Sequence, residues 1–145
     1  MDHPMQRTRV TFGLAGPLVY ASVLDLGRLW ERLLRRAGMP LAYSRGFSPH
    51  PRFQFASALP VGYSSECEVI DIWLERRVDL LDLMRTMRSQ SPTGLTILQV
   101  AEVPLTAPYP QSTLRAAEYR VVMASPLAAS EMGLAVQRLL AEPTI

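Results

Sequence analysis

The chain contains no lysine: all fifteen of its basic residues are arginine, set against thirteen acids for a formal charge of +2. The shortage runs through the whole chain, so biased composition accounts for it, but it has a chemical consequence. Every cation is a planar fork of donors that can grip phosphate or carboxylate in two places and stack on bases. An all-arginine surface is compatible with nucleic acid. Cysteine is nearly absent too. Cys67 stands alone, which excludes an internal disulfide and any cysteine set with zinc or iron–sulfur spacing. Between Glu66 and Glu68 its reactivity is suppressed, and it reads as a structural thiol. Histidine occurs twice, as His3 near the terminus and as His50. No apolar segment approaches the ~20 residues of a membrane-spanning helix. The first six residues lack the basic start and apolar run of a signal peptide. The expectation is a soluble cytoplasmic protein with no membrane partner.

What is present is ample for a core. The 145 residues are 48% hydrophobic and 19% charged, the composition of a folded protein. Punctuation is densest between Leu41 and Gly62, where Gly46 and Gly62 permit positive φ and Pro49, Pro51 and Pro60 fix it. Such a stiff loop either packs as a rigid connector or holds its polar members, Tyr43, Ser44, Arg45, Ser48, His50 and Arg52, for a ligand.

The rest of the chain alternates between two periodicities. Arg7 to Gly13 has period two, with Thr8, Val10 and Phe12 on one side and Arg7, Arg9 and Thr11 on the other, which predicts a half-buried strand. Ser22 to Asp25 resembles a capping box, and Leu26, Leu29, Trp30, Leu33, Leu34 and Ala37 then recur at helical spacing until Gly38 and Pro40. The opposite face, with Arg28, Glu31, Arg32, Arg35 and Arg36, reads as a solvated helix face. Strands are predicted at Arg52–Ser57 and Glu66–Glu75, the second with Ile70, Ile72 and Leu74 on one face and Val69, Asp71 and Trp73 on the other. Asp79 caps a second helix built on Leu80, Leu83, Met84 and Met87, and Leu95–Val103 is a fourth strand.

This order, strand, helix, strand, strand, helix, strand, predicts an α+β, ferredoxin-like βαββαβ module over residues 1–103, an antiparallel sheet with two helices on one face and the other face free. Residues 104–116 read as a Pro-rich, extended linker. Residues 117–145 read as a strand at Ala117–Met123 and a helix from Ser130 using Met132, Val136, Leu139 and Leu140. That tail packs on the first module, swaps into a partner chain, or begins a second similar module.

The run from Ser44 through Arg45, Gly46, Phe47, Ser48, Pro49 and His50 to Pro51, then Phe55 to Gly62, Glu66 and Asp71, resembles the radical SAM-linked protein family. The resemblance extends from about Arg9 to the end of the chain and includes Phe12, Gly16, Ser22 to Asp25 and Arg36 to Ser44. This is an uncharacterised bacterial family, found alone or attached to the C-terminal side of a radical SAM enzyme. The resemblance therefore implies a radical SAM enzyme as partner, with the iron–sulfur cluster and SAM belonging to that enzyme and no cofactor in this chain. Two positions depart from the pattern: Leu14 stands where the family usually has Lys, and Val23 where it has His.

Three functions are open. A small enzyme would use His50 as the proton-transfer group, with Asp71 or Glu66 as orienting carboxylate and Ser44 or Tyr43 nearby. No nucleophile elbow, phosphate-cradling Gly-rich loop or metal-ligand set accompanies these residues, so no metal is expected and catalysis by this chain alone is not. A binding module would use the 44–52 loop. Arg45 and Arg52 supply charge, Tyr43, Phe47 and His50 supply flat surfaces, Gly46 gives close approach and Ser44 offers hydrogen bonds, with RNA as the ligand. A docking module that binds the radical SAM enzyme or positions its substrate needs no strong charge. The expectation is the second: an accessory binding domain for that enzyme, with RNA bound at Tyr43, Ser44, Arg45, Gly46, Phe47, His50 and Arg52.

Overall fold

The computed structural model describes residues 4–143, so His3 lies outside the described residues. The alternation that opens the chain forms β1, Gln6–Leu14, whose inward residues Thr8, Val10, Phe12 and Leu14 are all buried. A 3₁₀ turn at Gly16–Tyr20 leads to α1, Val23–Arg36. This helix starts where the spacing of Ser22 and Asp25 places it. The Ser22 hydroxyl accepts from the Asp25 backbone N–H at 3.2 Å, and the Asp25 carboxylate accepts from the Ser22 backbone N–H at 3.1 Å.

The chain then forms β2, Phe53–Phe55, and β3, Ser65–Leu74. Next come α2, Leu80–Gln90, capped by the Asp79 carboxylate, and β4, Leu95–Val103. The four strands make one sheet in the order β2-β3-β1-β4, with every neighbouring pair antiparallel. Fold class is therefore α+β, a four-stranded antiparallel sheet with helices. Leu26, Trp30, Leu33 and Leu34 of α1 and Leu83 and Met87 of α2 share one buried cluster with Val10, Phe12, Ile70, Ile72, Leu74 and Ile97. Both helices thus cover the same sheet face.

Glycine is required at the start of β4. Gly94 has φ +95°, its carbonyl accepts from the Ala15 N–H at 2.9 Å, and an added Cβ would run into the Ala15 carbonyl oxygen. The chain divides into two units, one up to Arg115 and one from Ala116. The stretch read as an extended linker includes a short helix, α3, Pro110–Thr113, and belongs to the first unit. In the second unit, residues 117–123 do not form the expected strand among the described residues. Alternation alone cannot make a strand, which exists only where a neighbouring backbone takes up its N–H and C=O groups. α4 spans Ala129–Ala141 and buries none of its residues, so Val136, Leu139 and Leu140 stay exposed.

Candidate functional site

The sheet face opposite α1 and α2 is built by strand register. Arg9 lies across from Asp71, and Arg7 across from Trp73. Gln54 lies across from Asp71 on its other side. Antiparallel neighbours on one face meet at side-chain distance, so two arginines and one carboxylate are forced together. Asp71, fully buried, accepts four guanidinium hydrogen bonds. Arg7 donates from Nε at 2.9 Å and Nη2 at 2.6 Å, and Arg9 from Nε at 2.8 Å and Nη2 at 3.0 Å. The bond to Asp71 raises the Arg9 guanidinium above its ordinary value, against the lowering effect of partial burial, and the carboxylate's charge adds to the rise.

Arg7 is itself 1% exposed, and its remaining donors go to backbone. Nη1 donates to the Ala107 carbonyl at 2.5 Å and Nη2 to the Pro108 carbonyl at 2.8 Å. Its guanidinium lies 4.7 Å from the Trp73 ring centroid and 5.7 Å from that of Tyr109. The segment after β4 is thereby strapped across part of this face, and Trp73 is only 5% exposed. Phe53 and Phe55 face the helices, packed against the core cluster. No sheet aromatic among these three is free to stack on a base.

The stiff loop leaves from the edge of the sheet, beside the end of β3. Leu41 bridges Leu74, the Ala42 N–H donates to the Trp73 carbonyl at 2.9 Å, and the Arg52 and Trp73 N–H groups donate to the Ala42 and Arg52 carbonyls. Tyr43 bridges Pro51, and one step further the loop is closed twice. The Ser44 N–H donates to the His50 carbonyl at 2.8 Å, and the His50 N–H donates to the Ser44 hydroxyl at 2.9 Å. Arg45 to Pro49 form the tip, all exposed, with Gly46 at φ +136°. Phe47 is 110% exposed, a side chain standing clear of its surroundings.

Arg52 differs from the other arginines of the face. Its guanidinium lies 5.3 Å from the Trp73 ring centroid and makes no hydrogen bond or ion pair among the described residues. The ring attracts the fork while its N–H groups stay unused among the described residues. Arg45 is likewise without an acidic partner among the described residues. Asp71, the one acid that the register places on this face, is already shared by Arg7 and Arg9.

The sequence matches the family described as uncharacterised protein conserved in bacteria, DUF2344, over residues 7–145. The chain belongs to this family. No curated protein matches it. In this DUF2344 chain the proposed pairing of His50 with Asp71 is not assembled. Both Asp71 oxygens are committed to arginines inside the sheet, whereas the His50 side chain is exposed on the loop. Glu66, the other carboxylate considered, is exposed at the far end of β3. Cys67 is an exposed thiol rather than a core one. Among the described residues no group of three or more His, Cys, Asp or Glu is placed to hold a metal ion. Nor is any helix long and apolar enough to cross a membrane.

The loop residues singled out from the sequence, Tyr43, Ser44, Arg45, Gly46, Phe47, His50 and Arg52, are brought together in one hairpin-like turn. The Ser44 side chain closes that turn rather than facing a ligand. Two contributors were missed by sequence reasoning. Trp73 acts as the platform under Arg52, and Arg7 ties down the Ala107 to Tyr109 strap. Period-two alternation placed both on the correct side of their strands, but neither partner is local.

Proposed function

We propose that this chain is an accessory binding module of a radical SAM enzyme and that its ligand is RNA, taken up by the 44–52 loop and the adjoining edge of the sheet face opposite α1 and α2. The first unit is read as a ferredoxin-like module. Its βαββαβ element order, its strand order and its uniformly antiparallel pairing support that reading. The radical SAM partnership rests on the resemblance of the Ser44 to Pro51 and Phe55 to Gly62 segments, and the iron–sulfur cluster and SAM would be that enzyme's.

The observation that carries the RNA reading is Arg52. A guanidinium resting over Trp73, 5.3 Å from the ring centroid and with its donors unused among the described residues, is partly pre-organised for a phosphate oxygen pair, since some side-chain freedom is already lost before binding. Arg45 adds a second cation on the same loop, and Asp71, across the register from Arg9, is already taken by Arg7 and Arg9. Catalysis has no comparable support, because among the described residues no carboxylate is paired with His50.

Binding of total cellular RNA to the purified chain, at low and moderate salt, tests the reading beside an Arg45→Ala/Arg52→Ala variant. Salt-sensitive binding that the variant loses is the expected result. No binding by the intact chain at low salt would overturn it and turn attention to a protein ligand.

A further inference from the structure

Phe47 is not explained by charge, and it is the most exposed large apolar side chain of the first unit. An isolated aromatic at full exposure costs solvation and contributes nothing to the core, yet this one sits at the tip of a turn closed by two Ser44–His50 hydrogen bonds. At 110% exposure the ring is open to solvent, and its neighbours in sequence are small. Gly46 has no side chain, a Cβ added there would meet nothing within 4 Å, and Ser48 is small. The charged and polar groups of the same loop, Arg45, Arg52 and His50, are those of a nucleic-acid surface rather than of the apolar rim that surrounds an aromatic anchor in a protein pocket.

From this we infer that the loop selects unpaired RNA, with Phe47 stacking on an exposed base while Arg45 and Arg52 hold the flanking backbone. The inference rests on the RNA reading above and narrows it to a substrate class. Inside a duplex each base face is covered by its neighbours, and the deep, narrow major groove of A-form RNA does not admit such a side chain. Only a single strand, a loop or a bulge offers a free base face to an aromatic. Sequence preference is expected to be weak, because every base has a π-face and no side chain at the tip is braced to read a base edge.

The test compares a short labelled single-stranded RNA of mixed sequence with the duplex it forms with its complement, using the full chain and the Phe47→Ala and Phe47→Tyr variants. Phe47 touches no core residue, so both variants should fold, which circular dichroism checks. The single strand should bind more tightly than the duplex. Phe47→Ala should weaken the single-strand complex roughly 5- to 150-fold, the range of one lost base stack, and leave the duplex affinity unchanged, while Phe47→Tyr stays near the parent. Equal affinity for the two RNAs together with an unaffected Phe47→Ala variant would overturn this inference and leave the RNA reading standing. Failure of the intact chain to bind either RNA would overturn both, and would return Phe47 to the role of a protein-docking anchor.

Discussion

Asp71 is the residue on which the sheet face opposite α1 and α2 depends. It compensates Arg7, which is buried with it, and shares Arg9, which remains partly exposed. Removing one partner of a buried ion pair leaves the other charge unsolvated, so Asp71→Ala is expected to destabilise the fold by about 3–5 kcal/mol in urea unfolding. A double Asp71→Ala/Arg7→Met variant should recover much of that loss, since a long apolar side chain can still lie on Trp73. An unchanged urea midpoint for Asp71→Ala would contradict the structural role assigned here. Alternation in the sequence assigned Arg7 and Arg9 to one face of their strand and Asp71 and Trp73 to one face of theirs, and both assignments hold. What alternation cannot carry is which strands become neighbours and in what register. Without the Arg9–Asp71 register, the carboxylate was free to be matched with His50 instead.

Among the elements, the two helices of the first unit were the most legible, because each carries its own start signal and an apolar stripe. The α1 cap has a pH signature. Hydrogen bonds from Ser22 hold the Asp25 carboxyl below its ordinary value of 3.8. A lowered folded value means that this contribution to stability is complete above 3.8 and is lost as pH falls through the lower, folded value. Ser22→Ala is expected to cost about 1 kcal/mol near neutral pH, the usual worth of an N-cap. It should also flatten the acid limb of a stability-against-pH curve measured by circular dichroism, and an acid limb identical to the parent's would show that the cap is not the source. Less legible were the segments whose state depends on distant partners. The Pro-rich stretch after Val103 looked like a spacer because nothing local reveals that Arg7, a hundred residues earlier in the chain, donates to the Ala107 carbonyl. Residues 117–123 looked like a strand because period-two alternation is a local pattern, whereas backbone pairing is not.

At the scale of the whole molecule, a net charge of +2 gives little sign of an anionic ligand, and it is distribution that supplies one. The acids of α1 and α2 pair with arginines of their own helices, as Glu31 does with Arg35 at 2.8 Å and Asp82 with Arg85 at 3.3 Å. On the opposite side of the sheet Asp71 is spent on Arg7 and Arg9, and Arg52 and Arg45 are unpaired among the described residues. The loop itself was readable in advance from its glycines and prolines, because backbone stiffness is a local property. Its ligand was not, since that depends on which cations the fold leaves uncompensated. The most direct measurement is the salt dependence of affinity for single-stranded RNA, in the parent and in Arg52→Ala. Each phosphate contact contributes about −0.7 to the slope of log affinity against log salt. The parent should therefore fall steeply, and Arg52→Ala should bind more weakly at low salt with a slope shallower by about 0.7. A parent affinity indifferent to salt, or a slope unaltered by Arg52→Ala, would contradict the account.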